Sequence, residues 1–93
     1  MTNTKKMASA SYIEAHVISS HRSRKEIAEL SGFKSENFID VLVGGHVKLP
    51  LDKVKPMAQA LDADWRELFG LVIRDWYSGE MVELFSSYFR EMR

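Results

Sequence analysis

The stretch Ser23-Arg-Lys-Glu-Ile-Ala-Glu-Leu-Ser-Gly-Phe-Lys-Ser-Glu-Asn-Phe-Ile-Asp-Val-Leu-Val-Gly-Gly-His-Val-Lys-Leu-Pro50 decides the fold. Ser23 and Glu26 have the spacing of a capping box, so a helix starts there. Ile27, Ala28 and Leu30 give that helix an apolar face, and Gly32 supplies a residue that accepts positive φ at its end. Phe33 leads to Ser35, read as a second N-cap, before Phe38, Val41 and Leu42 at helical spacing. Gly44 and Gly45 stop the second helix. Two helices joined by a short glycine turn form a helix-turn-helix unit.

The flanking residues extend this pattern. Ile27-Ala28, Gly32-Phe33, Phe38, Val41, Gly44 and Pro50, followed by Met57-Ala58, Leu61 and Leu68, resemble the lambda-repressor-like (Cro/repressor, XRE) helix-turn-helix domains. Leu61-Asp-Ala-Asp-Trp-Arg-Glu-Leu-Phe69 is similar to the ending those domains use. The resemblance covers roughly residues 12 to 70, about two-thirds of the chain. It implies an all-α, five-helix bundle whose second paired helix enters the major groove of DNA, and here an extra C-terminal amphipathic helix follows.

Composition is compatible with that reading. The chain has 93 residues, enough for one small domain, and its 45% hydrophobic and 11% aromatic content suffices for a core. No cysteine is present, which removes disulfides and thiolate metal sites and fits a reducing cytoplasm. The polar, basic start lacks the apolar segment of a signal peptide, and no run reaches the roughly 20 apolar residues of a membrane helix. A soluble, cytoplasmic protein is expected. Net charge is zero, but it is unevenly placed: residues 1–60 carry +3 and residues 61–93 carry −3. A basic half beside an acidic tail suits a DNA-binding face and a separate interaction segment.

Along the chain, residues 1–10 are expected to form a flexible arm, 11–70 the helix-turn-helix domain, and 71–93 a helical dimerisation segment. The first helix reads from Tyr12 to about His21, with Tyr12, Ile13, Val17 and Ile18 on one side. Asp52 is a candidate N-cap for a helix carrying Val54, Met57, Ala58 and Leu61, and Asp64 caps another that runs to about Tyr77. Beyond Gly79, Met81, Phe85, Tyr88 and Met92 form one stripe, broadened by Val82 and Phe89. Trp76, Met81, Phe85, Tyr88, Phe89 and Met92 make the expected dimer interface, since a second copy would cover more apolar surface than so small a core can; the alternative is that the tail folds back over its own bundle as a sixth helix.

Carried over position by position, the resemblance puts Ser35, Glu36, Asn37, Ile39 and Asp40 at base edges, and Phe38, Val41 and Leu42 inward. Asn37 has the groups to bridge an adenine edge, Glu36 to accept from a cytosine amine, and Ile39 to meet a thymine methyl. Arg24, Lys34, His46 and Lys48 are the expected phosphate contacts, which fix register and supply affinity. Glu36 and Asp40 are unusual on a helix facing a polyanion. Either they read cytosine amines and reject other bases by repulsion, or this helix does not enter DNA; a local ion pair with a basic residue is a further option for Asp40.

No catalytic constellation stands out. His16 and His21 are five residues apart, wrong for a helical metal pair, and Gly44-Gly45 is a helix stop rather than a phosphate cradle. No enzyme activity, cofactor or metal is expected. The sequence thus reads as a DNA-binding transcriptional regulator, most simply a repressor, acting as a homodimer on a near-palindromic operator. The alternative is a protein–protein interaction module that keeps the fold without binding DNA.

Overall fold

The computed structural model describes residues 7–77 and 79–91. These residues form six α-helices: α1 (Ala8–Ser19), α2 (Arg24–Ser31), α3 (Asn37–Val43), α4 (Val54–Leu61), α5 (Trp65–Trp76) and α6 (Gly79–Glu91). A 3-10 turn, Leu51–Lys53, leads into α4, and no strand occurs among the described residues.

Local chemistry sets most boundaries. Ser23 and Glu26 close the capping box reciprocally: Glu26 N–H donates to Ser23 Oγ at 3.1 Å, and Ser23 N–H donates to Glu26 Oε1 at 2.8 Å. Gly32 ends α2 at φ 87°, and Phe33 N–H returns to the Ala28 carbonyl at 2.8 Å. Asp62 ends α4 in the same left-handed region, at φ 56°. Asp64 then caps α5, accepting from the Arg66 N–H at 2.9 Å. Arg22 lies over the end of α4, donating from Nη1 to the Ala60 carbonyl at 2.7 Å and to Asp62 at 3.1 Å. A cation there also complements the negative end of the helix dipole.

Two expected caps are not made. α3 begins at Asn37 rather than after Ser35, and its N-cap, Glu36, makes no side-chain hydrogen bond. Asp52 sits inside the 3-10 turn, so Lys53 occupies the cap position of α4.

The core lies where α1, α2, α3, α4 and α5 meet. Ile13, Ile27, Ile39, Leu42, Val54, Met57, Leu68 and Val72 are among its fully buried side chains. Burying one such side chain contributes about 1.5–3 kcal/mol. α2 packs on α4, α1 on α5, α4 on α5, and α1 on α3.

The ends of the expected domain move. α1 starts at Ala8, within the segment read as an arm, because Ser9 and Ala10 are buried and Ser9 N–H donates to Asp75 Oδ2 at 2.7 Å. It stops at Ser19, before His21. The rest of the expected arm, residues 1–6, lies outside the described residues. At the other end α5 runs unbroken through residue 70 and buries Val72 and Ile73 in the bundle. The bundle therefore closes at Trp76, six residues beyond the expected boundary. α6 packs only on α5 among the stronger helix contacts and buries no residue. No helix among the described residues is long and apolar enough to cross a membrane.

Candidate nucleic-acid interface

The paired helices α2 and α3 place one short, polar helix end at the surface. Ser35, Glu36 and Asn37 are all exposed, at the start of α3. Asp40 follows Glu36 by four residues and Asn37 by three, which puts these side chains on one helical face. Phe33 and Phe38 stack behind them, with ring centroids 4.4 Å apart, and fix the turn against the core.

Ile39 is misplaced by the sequence reading. It is 0% exposed and belongs to the buried face of α3 together with Leu42 and Val43. Phe38 and Val41, expected inward, are only half-buried. The physical reason is the helix phase: the inward stripe is 39, 42 and 43 rather than 38, 41 and 42. Ile39 therefore cannot meet a base without unpacking the core.

Of the expected phosphate contacts, Lys34 and His46 are exposed. His46 folds back on the end of α3, where a methyl group on Gly44 would lie 2.7 Å from its ring Cδ2. That close approach accounts for one glycine of the pair. The other, Gly45, takes the positive φ, 78°.

Lys48 and Arg24 already have intramolecular partners. Lys48 Nζ lies 4.8 Å from the Tyr77 ring centroid and 3.5 Å from its hydroxyl. Arg24 Nη1 is paired with Asp40 Oδ1, joining the first residue of α2 to the outward face of α3. The two side chains are 37% and 56% exposed. The acid that looked out of place on this face is thus covered by a guanidinium.

A shallow cleft of about 310 Å³ beside the α2–α3 turn is lined in part by Lys25, Glu29, Lys34, Ser35 and Glu36. Lys25 was not singled out from sequence. Its signal is its place at the second residue of α2, off the apolar stripe of Ile27 and Ala28. Tyr77, the partner of Lys48, had no local signal, being 29 residues away.

Two groups near the bundle's ends have shifted acidities. The Tyr12 hydroxyl is pushed up to about 12 by burial and by donating to Glu67 Oε1 at 2.8 Å. Glu26 is held below its ordinary 4.5, chiefly by the Ser23 N–H it accepts. His16 stacks near Tyr12, its Nδ1 2.9 Å from the Tyr12 carbonyl, which gives it a place in α1.

The expected dimer residues divide. Trp76 is half-buried and packs on the bundle core, so its first role is in the fold. Met81, Phe85, Tyr88 and Phe89 are exposed on α6, while Met92 lies outside the described residues. Between α5 and α6 runs an apolar groove of about 280 Å³, lined by Leu51, Phe69, Ile73, Val82, Phe85, Ser86 and Phe89.

No family model and no curated protein sequence matches the chain. Among solved structures, it is similar to the restriction-modification controller protein C.AhdI from Aeromonas hydrophila, at 24% identity and a TM-score of 0.58. The match covers 68% of this chain and 90% of that one. The likeness is one of fold. The chain shares the all-helical fold of that protein, with α2 and α3 as its paired helices.

Proposed function

We infer that this protein is a sequence-specific DNA-binding transcriptional regulator. The observation that carries this reading is the exposed start of α3, where Ser35, Glu36 and Asn37 stand together, with Lys25 and Lys34 lining the adjoining cleft. In a helix-turn-helix, that end of the second helix meets the base edges. Asn37 suits an adenine edge and Glu36 a cytosine amine. Lys34, His46 and Lys48 are assigned to phosphates, Lys48 by leaving the Tyr77 ring. The fold likeness to a controller protein supports a regulator.

In this reading the protein acts as a homodimer on a near-palindromic operator, repressing by occlusion. Two copies of α3 would enter major grooves about 34 Å apart. The exposed apolar stripe of α6 supports the C-terminal segment as the dimer contact. That same stripe, with Glu36 at the tip of α3, favours the second reading: a protein-interaction module that has kept the fold without DNA.

Selection from random duplex DNA at about 150 mM salt separates the two. Enrichment of a short inverted repeat supports the regulator, and its half-site spacing gives the dimer geometry. Absence of any retained duplex, even at low salt, leaves the interaction module.

A further inference from the structure

We propose that Asp40 is a positioning residue for DNA recognition, holding the Arg24 guanidinium at a fixed place on the outward face of α3; this rests on the DNA-binding reading above. Arg24 is the first residue of α2, and the Ser23–Glu26 capping box fixes where that helix begins. From this anchored start its side chain crosses to α3, where Nη1 meets Asp40 Oδ1. Asp40 lies one helical turn beyond Glu36 and Asn37, on the face that would meet DNA.

Arginine is suited to this task because its guanidinium is a planar fork. Engaging Nη1 leaves the donors of Nη2 and Nε for a second acceptor, a base edge in the groove. Unheld, a long and partly exposed side chain loses rotamer freedom on making that contact; held by a carboxylate, it loses less. The fold itself gains little from the pair, since exposed ion pairs contribute weakly to stability. What the pair does supply is a defined direction for a cation on a face otherwise marked by Glu36.

The assignment makes an unexpected statement about charge. Taking a carboxylate off a DNA-facing helix should strengthen binding to every duplex by simple electrostatics. If Asp40 positions Arg24, the same change weakens binding to the preferred sequence alone. If Asp40 instead reads a base by itself, its effect is independent of Arg24.

The test uses the full chain, the duplex enriched by the wild type, and a scrambled duplex of equal length, with affinities from fluorescence anisotropy. Asp40→Asn and Arg24→Lys are each expected to weaken binding to the enriched duplex by about tenfold, a loss of about 1.4 kcal/mol. Binding of Asp40→Asn to the scrambled duplex should be equal or tighter, which also establishes that the variant is folded. In an Arg24→Ala background, adding Asp40→Asn should cost no more than about twofold further. Tighter binding of Asp40→Asn to both duplexes overturns the assignment. So does a further tenfold loss in the double variant, which would make Asp40 an independent base reader. A wild type that retains no duplex fails at the first step, and overturns the DNA-binding reading together with this one.

Discussion

The ammonium of Lys48 stands 4.8 Å from the centroid of the Tyr77 ring, tying the loop after α3 to the residue that ends α5. Exposed cation–π pairs contribute about 0.5–1 kcal/mol. Tyr77→Ala should therefore lower unfolding stability by up to about 1 kcal/mol, and Tyr77→Phe, which keeps the ring face, by less than half of that. Urea denaturation reads both. Equal losses in the two variants would mean that the hydroxyl, not the ring, carries the contact.

The capping box makes α2 acid-sensitive. Because Glu26 is held below 4.5 in the folded chain, its carboxylate contributes stability that is present above that pH and lost as pH falls through and below it. Glu26→Gln keeps an acceptor for the Ser23 N–H but cannot titrate, so its stability should fall less steeply below pH 4.5 than that of the wild type. Ser23→Ala should cost about 1 kcal/mol at neutral pH. Thermal unfolding followed across pH 3–7 would measure the two together.

Gly32 and Asp62 share a left-handed backbone but not a prediction. At Gly32, φ is 87°, and a side chain would be strained whatever the space around it. The nearest atom to an added methyl is Lys53 Nζ at 2.8 Å, a flexible tip that moves aside easily. The cost of Gly32→Ala should thus be the backbone's, about 1–2 kcal/mol. Asp62→Gly relieves a similar conformation while deleting the exposed Arg22 pair, so it should change stability by less than about 1 kcal/mol. A larger loss at Asp62 would make that ion pair a principal stabiliser of the α4 end.

Phe85 lines the α5–α6 groove and remains 39% exposed, outside the core of the bundle. Phe85→Asp should leave the melting of the bundle nearly unchanged while breaking assembly, with sedimentation velocity moving from dimer to monomer. An unchanged sedimenting species would remove the C-terminal segment as the dimer contact.

Where structure follows from neighbours in sequence, the chain was readable. The Ser23–Glu26 box, the Gly32 turn and the Asp64 cap each rest on residues within five positions of one another. The face of α3 was not readable, because five of its seven residues are apolar and no stripe stands out. Packing against the rest of the core chose Ile39 over Phe38. The Arg24–Asp40 pair was legible only as an option, since it needs the angle between two helices. The start of α1 and the end of the bundle depend on each other across 66 residues, through Ser9 and Asp75. Nothing local marks such a contact.

That Ser9–Asp75 hydrogen bond has a mechanical consequence. It brings the beginning of α1 beside the end of α5, so the bundle's points of entry and exit lie together. Tension applied at those two points would peel α1 from α5 from one end, straining its contacts in succession rather than all at once. The same adjacency would let a short linker join residues 8 and 76, with new termini opened in the Gly44–Leu51 loop.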